Sequence, residues 1–275
     1  VEALGGVSFG VQPGEFVGYI GPNGAGKSTT IKCLSGILTP TSGQVRCLGR
    51  VPWKERIANA RDIGVVFGQR SQLNWDLPME DTFQLYKQMY HIDDKTFQKN
   101  VSMFTELLAM ESFLRKPVRQ LSLGQKMRAE LAIAMLHNPQ ILYLDEPTIG
   151  LDVLVKDHIR TFIRELNKEQ HTTVILTTHD MKDIDTICDR VIFIDKGVVL
   201  ADSSLEKFKN SHSESYFIRI LYEHQKQPVN YSGVLCVAEK EHDVTYQVDK
   251  RAMSVNAFLQ ILLDNFEIRD IEIHQ

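Results

Sequence analysis

The sequence predicts an α/β fold: a mixed-sheet core, an inserted helical subdomain and a small C-terminal α+β appendage. Three observations carry this. Short, nearly continuous apolar runs of strand length recur through the first two hundred or so residues with helical patterns between them, as strands covered on both faces tend to do. From Met79 to Met135 the apolar spacing is three and four residues only, which is helical. Beyond Ser215 several strand patterns gather around one helix.

In chain order, "VEALGGVSFGVQPGEF" predicts a strand, a turn and the start of a second strand. The buried core strands are "FVGYI" at Phe16 to Ile20, "IGVVF" at Ile63 to Phe67, "ILYLD" at Ile141 to Asp145, "TVILT" at Thr173 to Thr177 and "RVIFID" at Arg190 to Asp195. The helical subdomain occupies about residues 79–137, with "MEDTFQLYKQMYHI", "DKTFQKNVSMFTELLAM" and "GQKMRAELAIAMLH" as its helices. Pro78 and Pro117 mark its entry and interior, and Asn138-Pro139 closes its last helix. A first domain over residues 1–210 and a second over 215–275 are expected, separated by the polar stretch Ser211 to Glu214. The second holds "SYFIRILYE", "GVLCVAEKEHDVTYQVD", a helix near Ser254 to Phe266 and "EIRDIEIH". The chain opens at Val1 rather than methionine and closes in a strand, so a piece of a longer protein is expected, with the second domain truncated.

At 43% hydrophobic, 24% charged and net charge −4, the chain lacks the basic excess of a dedicated nucleic-acid binder. Cys33, Cys47, Cys188 and Cys236 show no C-x-x-C spacing, so neither a zinc site nor a disulfide framework is expected, and a reducing compartment fits. No apolar run approaches the roughly 20 residues that cross a bilayer, and no secretory signal pattern is visible.

The chemistry-bearing motifs begin with "GYIGPNGAGKSTTIKCL", where Gly21, Gly26, Lys27 and Ser28 match G-x-x-x-x-G-K-[ST] directly after a strand and before a helix. Gly21, Pro22, Asn23, Gly24, Ala25, Gly26, Lys27, Ser28 and Thr29 are the candidate phosphate cradle. Glycines permit a tight turn whose N–H groups converge on phosphate oxygens, and the helix start adds its positive end. Lys27 neutralises β and γ phosphates, and the Ser28 hydroxyl can ligate Mg2+. "NPQILYLDEPTIGLD" ends a strand in Asp145-Glu146; beside a P-loop, Asp145 is a Mg2+ ligand and Glu146 a base for the attacking water. The plainer alternative is a solvated strand end. His179, closing "TVILTTHD", is either structural or a γ-phosphate sensor that positions water.

Together these residues resemble the ATP-binding cassette proteins, the nucleotide-hydrolysing subunits of ABC transporters, over about residues 1–208. Walker A resembles "GPNGAGKST", the Q-loop glutamine Gln69 in "VVFGQRSQL", the signature "LSLGQ" at Leu121 to Gln125, Walker B "ILYLDE", the D-loop "GLD" at Gly150 to Asp152, and the switch histidine His179. The resemblance implies a P-loop NTPase cassette that binds ATP and Mg2+, with Gln69 joining Ser28 and Asp145 at the metal. It also implies a head-to-tail pair, in which Ser122, Gly124 and Gln125 of one cassette, with Asp152, complete the ATP site of the other. The implied partners are a second cassette and ABC-2 type permease subunits, at the cytoplasmic face of the membrane. "VVFGQRSQLNWDLPMEDTF" is most similar to the ATPase subunits of sodium, daunorubicin and multidrug-type exporters. The alternative is a soluble cassette ATPase acting on ribosome or DNA, whose relatives carry two cassettes or a long coiled coil.

Two departures stand out. Leu123 replaces the middle glycine of L-S-G-G-Q, and is expected to tune the cassette interface without touching phosphate; Gly68 is one residue more than usual before Gln69. The aromatic that stacks on adenine falls upstream of Val1. Trp75 is either part of the permease-docking segment Arg70 to Pro78 or core. "EKEHD" at Glu239 to Asp243 reads as a solvated turn rather than a metal site, and the second domain carries no catalytic constellation.

Overall fold

The structure, a computed structural model, describes residues 3–68, 71–212, 215–223, 231–239, 243–250 and 252–274. The apolar runs form β1 (Phe16–Ile20), β2 (Ile63–Phe67), β3 (Ile141–Asp145), β4 (Thr173–Thr178) and β5 (Arg190–Asp195), joined by β6 (Val198–Ser204). Their order across the sheet is β2-β3-β4-β1-β5-β6. The first five are parallel and β6 is antiparallel at one edge, so the sheet is mixed. Every residue of β1 and β4 is buried, because these central strands are covered on both faces. Val17, Tyr19, Ile31, Tyr143, Ile175 and Ile192 belong to one core cluster.

Register decides where the chemistry lies. Ile20 pairs with Thr178 and Asp145 with Thr177, so the C-terminal ends of β1, β3 and β4 finish side by side. In an open parallel sheet that edge is where ligands bind.

The helices are α1 (Lys27–Leu34), α2 (Arg56–Asp62), α3 (Met79–Tyr90), α4 (Asp94–Leu107), α5 (Leu123–Met135), α6 (Val153–Gln170) and α7 (Met181–Ile187). Asp93, Ser122, Asp152 and Asp180 each accept a backbone N–H at the start of α4, α5, α6 and α7. Such caps are typically worth about 1 kcal/mol each. Helix α5 approaches β2 closely because Gly64 has no side chain: a Cβ there would lie 2.4 Å from Ala134 O. Phe104 of α4 meets Phe162 of α6 edge to face, with centroids 5.6 Å apart.

One expected strand is not formed. Leu4, Val7, Phe9 and Val11 pack against the core cluster. Yet the first strand is β1, and no strand pairs with residues 3–15 among those described. Apolar side chains can pack on the core without a ladder, whereas a strand needs a ladder partner. The next extended stretch supplies only the single bridge Cys47 to Arg50.

The chain divides into two compact units, Val1–Leu205 and Glu206–Gln275. The division falls at the start of α8 (Leu205–His212), ahead of the boundary read from sequence. Ser211 and His212 of the polar stretch belong to that helix, and residues 213 and 214 lie outside the described residues. The second unit contains β7 (Ser215–Tyr222), β8 (Val234–Glu239), β9 (Asp243–Asp249), α9 (Val255–Asn265) and β10 (Ile268–His274). Its antiparallel sheet, in order β10-β7-β9-β8, buries Ile218, Ile220, Tyr246 and Val248 with Phe258 and Leu262 of α9. Glu239 and Asp243 end β8 and begin β9, while Lys240, Glu241 and His242 lie outside the described residues.

Candidate active site

The loop between β1 and α1 is shaped by what its glycines allow. A Cβ on Gly21 would lie 2.0 Å from Ile194 O, and Gly24 and Gly26 sit at φ 82° and 105°, where L side chains are strained. Asn23 and Gly24 are exposed at the tip, Pro22 O accepts from Ala25 N at 3.2 Å, and Thr29 is half-buried. Lys27 is only 7% exposed; its Nζ donates to Gly21 O at 2.7 Å and Pro22 O at 3.1 Å. Its ammonium is therefore held inside the loop whose N–H groups would meet a phosphate.

Beside it, Ser28 Oγ donates to Asp145 Oδ1 at 3.0 Å, and Thr177 Oγ1 donates to the same oxygen at 2.6 Å. The Ser28 and Asp145 oxygens, hard donors from α1 and β3, suit Mg2+, which takes few protein ligands and completes its octahedron with phosphate and water. Gln69, expected at the same metal, lies outside the described residues.

Glu146 follows directly, in the left-handed region at φ 56°. For a residue with a Cβ that conformation is uncommon and is kept only where the surroundings impose it. Its N–H is bound by Thr177 O at 3.0 Å, and Gly68 lies against its backbone, where a Cβ would stand 2.3 Å from Glu146 O. Gly68 N also donates to Asp145 O at 2.8 Å. The extra residue before Gln69 thus extends the β2 pairing past its end and must be glycine to do so. Glu146 Oε2 meets His179 Nδ1 at 2.7 Å. This bond draws together the residues that follow β3 and β4, a half-buried carboxylate beside an exposed imidazole.

A buried ion network behind these two residues escaped the sequence reading. Asp183, fully buried on α7, accepts from Thr148 Oγ1 at 2.6 Å, Thr178 Oγ1 at 2.8 Å and Arg160 Nε at 2.7 Å. Arg160 of α6 also pairs with Asp157, and Lys156 pairs with Asp180 at 2.8 Å, which holds the Asp180 carboxyl below its ordinary range. Thr148 and Thr178 flank Glu146 and His179, so the network fixes both ends of the dyad. The available signal was Asp180 and Asp183, one helical turn apart directly after His179.

The signature residues are bound to one another. Ser122 Oγ accepts from Gln125 N at 3.2 Å and Gln125 Oε1 from Ser122 N at 2.9 Å, a reciprocal cap of α5. Gly124 lies against α6, where a Cβ on it would stand 3.2 Å from Val155, and Leu123 lies against the D-loop, where a Cβ on Gly150 would stand 3.3 Å from Leu123 Cδ2. Leu123 is nevertheless 52% exposed. Asp152 Oδ1 accepts from Val155 N at 2.9 Å, capping α6. Among the described residues no hydrogen bond joins Ser122, Gly124, Gln125 or Asp152 to the P-loop. Trp75 is 58% exposed with Lys126 Nζ 4.4 Å above its ring, so it is not core.

A family model described as ABC transporter matches residues 4–149. The human cholesterol transporter ABCA5 is 35% identical over 217 residues, covering 78% of this chain and 13% of that protein. The probable multidrug ABC transporter ATP-binding protein YbhF of Escherichia coli K12 is 33% identical over 235 residues, 82% of this chain and 40% of its own length. The chain thus spans less than half of either relative. Among solved structures, the dimeric ATP-binding cassette MJ0796, in a post-hydrolysis state bound to ADP and Pi, is 28% identical with a TM-score of 0.67. That match covers 74% of this chain and 90% of that one.

Proposed function

Because this chain belongs to the ABC transporter family, we propose that it binds and hydrolyses ATP as one of two paired cassettes, driving an ABC-2 type permease in the export direction. The observation that carries the ATPase reading is the Glu146–His179 bond at 2.7 Å, set beside the Ser28–Asp145 pair. A base for the attacking water and a pair of metal-binding oxygens then stand together at the mouth of a P-loop.

In this reading the loop N–H groups and Lys27 hold the β and γ phosphates. Ser28 and Asp145, with Gln69, would hold Mg2+, which supplies charge neutralisation at the β and γ oxygens. Glu146 accepts the proton of the attacking water. His179, its Nδ1 engaged by Glu146, orients that carboxylate and leaves Nε2 to meet the γ phosphate. Ser122, Gly124 and Gln125 at the head of α5, with Asp152, meet the nucleotide of the opposing cassette, whose charge suits a helix start. Dimeric MJ0796 and multidrug-named YbhF support the pairing and the export direction. Among the described residues no helix is long and apolar enough to cross a membrane, so this reading assigns the crossing to the permease and the cassette to its cytoplasmic face.

Phosphate release by the purified chain in Mg·ATP tests the assignment. Glu146→Gln should lower release by a hundredfold or more, on the order expected for losing a general base. It should also retain ATP and elute at dimer size. An unchanged rate would remove Glu146 as the base.

A further inference from the structure

Glu130 lies two turns into α5, is 4% exposed, and has no part in the ATP chemistry above. Its neighbours Ala129, Leu131, Ala132 and Ile133 are buried and apolar. A buried carboxylate is costly to keep, and an apolar residue of similar size would pack against the core at least as well. Burial pushes the Glu130 carboxyl above its ordinary range, opposed by the donors that reach it. Those donors all come from one place: Glu130 Oε1 accepts from Ser71 Oγ at 2.5 Å and from Gln72 N at 2.8 Å. Ser71 is two residues after Gln69.

The same segment is fastened to the approach and start of α5 along its length. Trp75 lies under Lys126, and Trp75 O accepts from Arg119 N at 3.0 Å. Asp76 pairs with Arg119, and Leu77 O accepts from Val118 N at 3.2 Å. Residues 71–77 therefore run antiparallel to 118–130, with the buried Glu130 as the clamp nearest Gln69. Gln72 Nε2 also donates to Val65 O at 2.5 Å, tying the segment to β2.

We propose that Glu130 is a positioning residue that locks the stem of the Gln69 loop to the signature helix. The segment from Ser71, which follows the glutamine assigned to one ATP site, is then held to the helix whose Ser122 and Gly124 are assigned to the other. This rests on the cassette reading above, in which those residues serve opposite nucleotides.

Steady-state ATP turnover of the whole chain tests it with Ser71→Ala, Glu130→Ala, Glu130→Gln and the double variant Ser71→Ala/Glu130→Ala. Glu130→Ala should lower kcat about tenfold or more, the scale of two lost hydrogen bonds to a charged acceptor, with KM for ATP within about twofold. Glu130→Gln keeps an acceptor at Oε1 and should recover kcat to within about threefold of wild type. The double variant should be no slower than Glu130→Ala alone, because both remove one interaction. An unchanged kcat, a Gln variant as slow as Ala, or additive losses would each overturn the proposal while leaving the ATPase reading intact. Should Glu130→Ala fail to fold, Ser71→Ala decides: a fall in kcat at constant KM supports the clamp, and an unchanged kcat overturns it. Absence of Mg·ATP turnover in the wild-type chain would sink the cassette reading and the clamp with it.

Discussion

His137 shows how one side chain ties this fold to pH. Its ring stacks on Tyr90 with centroids 4.0 Å apart, and Nε2 reaches Ile63 O at 3.1 Å, which makes Nε2 the protonated nitrogen of a neutral imidazole. Burial lowers its pKa from 6.5 to about 4, opposed by the Ile63 carbonyl and by Asp62. Between those values the unfolded chain binds a proton that the folded chain does not. Stability from this group is complete above pH 6.5 and is lost as pH falls toward 4, by up to about 3 kcal/mol. Urea midpoints of wild type and His137→Gln should therefore converge on going from pH 7.5 to 4.5; a constant gap would refute the assignment. The residues of the dyad itself were readable because each ends an apolar strand beside a local motif. Asp183 and Arg160 were not, since their meeting depends on how α6 and α7 cross, which no local spacing records.

At the scale of elements, the strands that carry the site were legible to within a residue, because burial on both faces leaves uninterrupted apolar runs. The strand expected before Phe16 is not formed, because an apolar segment shows what can pack on the core, not whether a ladder partner exists. The cap of α5 illustrates a residue with two uses. Ser122 and Gln125 satisfy the first turn of their own helix, and in the cassette reading that same helix start faces a phosphate. Leu123, the unusual letter of the signature, rests against Gly150 while half its surface stays open. Gly68 joins two elements through their backbones, and its substitution should act on chemistry. Gly68→Ala would push a methyl toward Glu146 O and displace the base, so kcat should drop tenfold or more, a strain of roughly 1.4 kcal/mol or greater. Affinity for ATP, set by the P-loop, should hold. Equal loss of both would mean that Gly68 supports the fold generally.

At the scale of the whole molecule, the chain places the candidate phosphate cradle and the signature-like residues on separate elements with no hydrogen bond between them among the described residues. Two copies arranged head to tail would bring each set to the other, as an isologous pair does. Such a pair has a consequence that no single chain could imitate. Lys27→Ala and Ser122→Ala variants are each expected to be inactive, since both sites of either homodimer lack one half. In a mixed dimer, one site combines the intact Lys27 of one chain with the intact Ser122 of the other. Mixing the two inactive variants and measuring phosphate release is the most direct test. Composite sites predict recovery to about a quarter of wild-type turnover, from half the dimers carrying one of two sites. Release no greater than that of the separate variants would contradict the composite site.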